Sequence, residues 1–174
     1  NERDIQLTDE EFKKLVEVAA ASKLICLADM IKFAALTAAR YSEITGLLRQ
    51  NVDFSKKTAT FYDTKNMEDR TIPLHEGAIE ILKRYPFGEK FFVVKTRESF
   101  RHHWEKVRAK AGLKDFRFHD LRSFAANRML LSGMSEIEVA AVGGWKTLAV
   151  LHRRYARIKA RQLIGKINNV VNLK

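Results

Sequence analysis

In the stretch FRFHDLRSFAANRM, residues 116–129, Arg122 follows His119 by three positions within a run of helix-forming residues. Residues at i and i+3 neighbour each other on a helix, so two hydrogen-bond donors sit side by side and can bracket an anion. The bland reading is a capping histidine and a surface arginine. Arg40 closes a long apolar run, where a charge is costly unless it is paired or holds a ligand. Glu43 lies at i+3 from it and can be that pair, a simple structural salt bridge. Lys65 falls at the tip of an expected turn, where a solvated lysine is ordinary. Tyr155 follows Arg153 and Arg154, and a half-buried tyrosine is ordinary there too.

Taken as a set, these residues have a shared chemistry. Two arginines, a histidine and a lysine gathered round one phosphate stabilise a pentavalent transition state. Guanidinium grips phosphate oxygens through two parallel N–H groups. A tyrosine hydroxyl is a covalent nucleophile. A site built this way needs no metal. Composition alone does not bring the residues together in space.

Other chemistries lack support. One cysteine, Cys26, and five histidines have no zinc-ligand spacing. A single cysteine forms no intrachain disulfide and suits a reducing cytosol. The sequence has no Walker loop and no G-x-G-x-x-G, and the GGW at 143–145 is too short to be a phosphate cradle. Paired acids for metal-dependent nuclease chemistry are not evident. No apolar run approaches the ~20 residues of a membrane span. The formal net charge of +11 points to a polyanionic partner, nucleic acid or an anionic membrane surface.

The elements that must position these residues follow from local pattern. In 174 residues, 46% are apolar and only 2 are proline, which favours one well-packed domain of regular structure. Thr8 and Glu11 form a capping box ahead of a helix over 9–21. The apolar run from 23 predicts a buried helix ending near Ala38. YSEITGLL predicts a further short helix with Ser42 as its cap. Three short antiparallel strands are expected at 51–54, 58–63 and 70–73, joined by turns at 55–57 and 65–69, with Pro73 at a strand end. KFFVVKT reads as a short extended piece. Helices are expected at 75–84, 98–111, 119–132 (stopped by Gly133), 135–142 and 147–154. The expected class is α+β, predominantly helical, with a small three-stranded antiparallel sheet.

LTAARYSEITGL, TKNMEDRTIPL, FRFHDLRSFAANRML and VGGWKTLAVLHRRYARI occur in that order. The ordered set resembles the catalytic domain of the tyrosine recombinases, the phage integrase family, from about Thr8 to Ile158. The resemblance implies site-specific DNA recombination of integration or excision type, with no cofactor and no ATP. It implies that Arg40, Lys65, His119, Arg122, Trp145 and Tyr155 are catalytic and that Glu43 buttresses Arg40. Lys65 would protonate the leaving 5′-hydroxyl, and Tyr155 would form a 3′-phosphotyrosyl bond. Trp145 stands where most members carry histidine and some tryptophan. The sequence departs from the family pattern in three respects. One residue too many separates Trp145 from Tyr155, which makes Lys146 a competitor for that role. Ser123 follows Arg122 directly, where a basic residue often intervenes. No N-terminal DNA-clamping domain precedes the motifs, so the chain reads as one catalytic domain, 1–174, of a longer protein.

Leu163, Ile164, Ile167, Val170 and Val171 recur at helical spacing in the tail, 159–174. That stripe folds back on its own domain or docks on a neighbouring protomer, as in recombinase rings. Arg153, Arg154 and Arg157 flank the tyrosine and are candidates for phosphate contacts. The expected partners are double-stranded DNA and further protomers, as a tetramer on recombining DNA, with no membrane. The expected location is the cytoplasm of a bacterial or phage-host cell. A catalytically silent DNA-binding module is the alternative. Type IB topoisomerases use similar chemistry, but H-D-L-R and the compact domain favour the recombinase. A membrane-surface protein accounts only for the charge.

Overall fold

The computed structural model describes residues 7–62, 69–149 and 151–152. Among them the chain forms α1 (Asp9–Ala20), α2 (Leu27–Thr37), α3 (Tyr41–Gly46), β1 (Val52–Asp53), β2 (Thr58–Phe61), β3 (Arg70–Pro73), α4 (Glu76–Lys83), α5 (Arg97–Lys110), α6 (Asp120–Leu131) and α7 (Glu136–Gly143). A single 3-10 turn, Arg49–Asn51, leads into β1.

The apolar run becomes the central helix. Leu27, Met30, Ile31, Phe33 and Ala34 of α2 are fully buried, and the helix packs against α1, α3, α4 and α6. A helix apolar over most of its surface lies inside the fold, and its two charged residues, Asp29 and Lys32, are only partly buried. The expected capping box starts α1: Thr8 Oγ1 accepts the Glu11 N–H at 3.1 Å and Glu11 Oε2 accepts the Thr8 N–H at 2.8 Å.

The sheet has the order β1-β2-β3, antiparallel throughout, with Ala59 opposite Ile72 and Phe61 opposite Arg70. Asp53 Oδ1 accepts the N–H groups of Ser55 and Lys56 at 3.0 and 2.9 Å, and Lys57 takes a positive φ of 55°. That side-chain turn closes the first hairpin locally, which is why its position was legible. Pro73 is the last residue of β3. The second turn falls largely outside the described residues, as does the 159–174 tail; of the expected 147–154 helix, residues 150, 153 and 154 lie outside them. Within that last segment His152 N–H still bonds Leu148 O at 2.7 Å.

One expectation is corrected. Ser42 is not the cap of α3; Arg40 is its N-cap, and the Glu43 carboxylate accepts the Arg40 backbone N–H. KFFVVKT, expected as a short extended piece, is non-helical and joins no sheet: Lys90 makes one isolated bridge to Leu48, and Phe91 and Phe92 plug the core. β-branched and aromatic residues fit a buried coil as well as a strand when no sheet edge is at hand.

Candidate functional site

Four segments converge on one carboxylate. The α2–α3 junction supplies Arg40, α3 supplies Glu43, β3 supplies Arg70, and the end of α7 supplies backbone carbonyls. Glu43 Oε1 accepts Arg40 Nη1 at 2.7 Å and Arg70 Nη1 at 2.5 Å. Its Oε2 accepts the Arg40 backbone N–H at 2.5 Å and Arg70 Nη2 at 2.9 Å. Arg40 Nη2 also donates to Gly144 O at 2.9 Å, and Arg70 Nε donates to Val142 O at 3.1 Å. The last carbonyls of a helix have no partner within it and carry its negative end, so two guanidiniums satisfy them. Burial pushes the Glu43 carboxyl up. The hydrogen bonds from Arg70 and Arg40, with the Arg70 charge, more than offset this and hold it below the usual carboxylate range.

Ala38 sets the geometry of the junction. Its N–H closes α2 on Ala34 O at 2.9 Å, and it takes the left-handed conformation at φ 53°, ψ 21°. For an alanine this is a strained state costing about 1–2 kcal/mol. It is fully buried, and its carbonyl accepts a hydrogen bond from Arg122 Nη1 of α6. Arg122 is itself buried, 3% exposed, with its guanidinium 4.4 Å from the centre of the Trp145 ring. A buried arginine thus links the strained turn before Arg40 to the residue that follows α7.

His119 is the N-cap of α6 and is exposed, whereas Arg122 is buried one turn on. The two are sequence neighbours at the helix start and occupy different depths. The buried Phe118 ring anchors the chain beside His119, packed edge-on against Phe100 at 5.1 Å and Tyr41 at 5.9 Å. Since Tyr41 follows Arg40, this contact brings the start of α6 beside the start of α3. A groove of about 610 Å³ opens there, with His119, Arg97, Arg101, Arg108, Lys114 and Arg117 in its lining. Sequence reading placed the basic surface near Arg153, Arg154 and Arg157, which lie outside the described residues. Among the described residues it is α5 that carries a basic row, spaced i, i+4 and i+11 at Arg97, Arg101 and Arg108, and that spacing was present in the sequence. Lys65 and Tyr155 also lie outside the described residues.

Trp145 is brought to the site and Lys146 is exposed. Two glycines make room. A Cβ on Gly143 would lie 1.8 Å from the Trp145 ring, and one on Gly144 would lie 2.9 Å from the Arg70 guanidinium. Gly144 also holds φ 70°, the left-handed cap of α7. The GG pair is therefore a packing device for an indole and a guanidinium. Gly143→Ala should displace the indole from Arg122 and cost about 1–3 kcal/mol, the range for overpacking. Thermal unfolding with tryptophan fluorescence would show it as a lower Tm and an altered Trp145 environment.

A second, smaller core of Ala126, Leu130, Val139, Ala140 and Leu151, with Trp145 against it, ties α6 to α7. Leu151 is fully buried in it. Arg70 is the site residue that sequence reading missed. Its only signal was a cation opening the alternating pattern R-T-I-P.

The sequence profile of the phage integrase family matches residues 6–162. The shufflon-specific DNA recombinase of Escherichia coli is 30% identical over 170 residues, covering 95% of this chain and 43% of that protein. The integrase of Salmonella phage P22 is 28% identical over 183 residues, covering 94% of this chain and 46% of that protein. The chain thus spans less than half the length of these curated relatives. The catalytic domain of bacteriophage HP1 integrase superposes with a TM-score of 0.73 at 20% identity, over 96% of each chain. The Tn1549 transposon integrase in complex with transposon right end DNA gives 0.80 at 15% identity, over 98% of this chain and 67% of that one. The mostly helical α+β architecture is that of tyrosine-recombinase catalytic domains. With the profile matched across nearly its whole length, the chain belongs to the phage integrase family.

Proposed function

We propose that this chain is the catalytic domain of a site-specific DNA recombinase that cuts and rejoins strands through a 3′-phosphotyrosyl intermediate. The observation that carries the reading is the meeting of Arg40, Arg122 and Trp145 around the Glu43 cluster, in a chain of the integrase family. Two guanidiniums, Arg40 and Arg70, against one carboxylate, with a third on Ala38 O, leave excess positive charge for a phosphate. The Arg40 side chain is 35% exposed, and a guanidinium has five N–H donors, of which the described contacts use only some. In the proposed reaction Arg40 and Arg122 hold the non-bridging oxygens of the scissile phosphate, with His119 and the Trp145 indole N–H as further donors. Tyr155 Oη releases its proton to solvent and attacks phosphorus; the new O–P bond forms as the bond to the 5′-oxygen breaks. Lys65 gives that oxygen its proton. Attack by the 5′-hydroxyl of a second strand reverses the step, so the bond energy is retained and neither ATP nor metal enters. The cations of the α5 groove, with Arg153, Arg154 and Arg157, hold the flanking duplex by its phosphates. Protomers assemble as a tetramer on the recombining DNA, in the cytoplasm. Residues 1–174 act as one domain, alongside a separate DNA-clamping domain in the whole protein.

The test uses the full-length protein and fragmented DNA of its host, incubated with a metal chelator and quenched with denaturant. Protein-linked ends are then sequenced. Covalent adducts at a defined sequence, formed despite the chelator, are expected. Salt-sensitive DNA binding without any adduct would instead assign the chain to the silent binding module. Adducts that appear only when metal is restored would remove the metal-free mechanism.

A further inference from the structure

We propose that Arg70 is a positioning residue for strand cleavage, holding the Glu43 carboxylate in the one orientation that fixes the Arg40 guanidinium. The inference rests on the functional reading above and goes beyond it, since Arg70 carries no role there. Each oxygen of Glu43 takes one donor from Arg40 and one from Arg70. Arg40 reaches the two oxygens through separate groups, its backbone N–H and a half-exposed guanidinium; the Arg70 fork adds a planar, two-pronged hold on both oxygens from a second element. Arg70 is in turn held on every side. It opens β3 opposite Phe61, and its guanidinium lies 5.0 Å over that ring. Its Nε binds Val142 O, and its side chain covers Gly144, where a Cβ would collide with it. Gly144 O is also the acceptor for Arg40 Nη2. Arg70 therefore fixes both anchors of Arg40, the carboxylate and the end of α7. The Arg70 side chain is 13% exposed against 35% for Arg40, so Arg40 is the one open to a phosphate.

The geometry has a pH signature. The charged groups facing Glu43 are Arg40, from the α2–α3 junction, and Arg70, from β3; α7 turns carbonyl oxygens toward them. Without Arg70, burial still pushes the Glu43 carboxyl up while the largest opposing hydrogen bond is gone. Glu43 then protonates at higher pH, Arg40 loses its partner, and the acid limb of the cleavage profile moves up.

Arg70→Met and Arg70→Lys test this in the full-length protein, on the DNA sequence recovered from the adducts. Single-turnover cleavage by Arg70→Met should fall ~100-fold, the order expected for a misplaced catalytic group. DNA affinity should stay within about threefold, because Arg70 holds protein groups and no phosphate. The acid limb should move up in Arg70→Met and return toward the wild-type position in Arg70→Lys. Lysine keeps the charge beside Glu43, but it lacks the fork and should not restore the full rate. Carboxyl NMR titration of Glu43 in both variants follows the same effect without DNA. If the wild type forms no adduct, the functional reading fails and the titration still decides whether Arg70 governs Glu43. Arg70→Met that cleaves like wild type, or a Glu43 titration and acid limb that do not move, would overturn the inference. A rate loss with the profile unmoved would reduce Arg70 to a structural residue.

Discussion

Tyr155→Phe should form no covalent DNA adduct and should bind DNA as the parent does. The substitution removes one oxygen and keeps the ring, so it deletes the nucleophile without emptying the site. The chain has four tyrosines, and the structure argues against two of the rivals. Tyr41 packs on Phe100 at 4.4 Å, and burial pushes its hydroxyl up, away from the phenolate form. Tyr85 donates its hydroxyl to Asp29 at 2.9 Å; burial, then that hydrogen bond, push it up further. Tyr62 is the remaining rival, 57% exposed just past the end of β2. Tyr62→Phe is therefore the control and should leave the adduct intact. Denaturing gels with labelled DNA read both variants, and fluorescence anisotropy reads affinity. Adducts that persist in Tyr155→Phe and vanish in Tyr62→Phe would transfer the nucleophile to the hairpin.

What the sequence revealed and what it withheld divide along the distance between partners in the chain. The Arg40–Glu43 pair was legible because i+3 spacing at a helix start brings the two together locally. The first hairpin was legible because Asp53 builds its turn from its own neighbours. Arg70 was not legible, because its partners Glu43 and Val142 come from elements far along the chain, joined by the packing of β3 against α7. For the same reason the role of GGW was not legible. Read locally it is only too short to cradle a phosphate; in three dimensions its missing Cβ atoms admit Trp145 and Arg70. His119 and Arg122 lie between these cases. Their proximity followed from spacing, but their difference in depth depends on α6 packing against α2, which no local pattern encodes. Ordered motifs identified the family where single residues remained ambiguous, since each residue alone also had an ordinary structural explanation.

Arg122→Met should separate activity from stability. Cleavage should fall about 10³-fold, equivalent to about 4 kcal/mol of lost transition-state stabilisation. The fold should lose far less. A buried cation is desolvated at a cost, and replacing one by an apolar side chain of similar length is often neutral or stabilising. Methionine still covers the Trp145 ring, trading a cation–π contact worth about 0.5–2 kcal/mol for a sulfur–aromatic one of similar size. The donor to Ala38 O is lost, and a buried carbonyl left without its partner costs about 1–3 kcal/mol. With these terms opposed, Tm should move by less than ~5 °C. DNA binding should weaken modestly, with a salt slope smaller by about one phosphate. A Tm loss that tracks the activity loss would instead make Arg122 a structural tie between the strained Ala38 turn and α7. The expected dissociation would mean that a charge costly to the fold is kept at 3% exposure because the chemistry requires it.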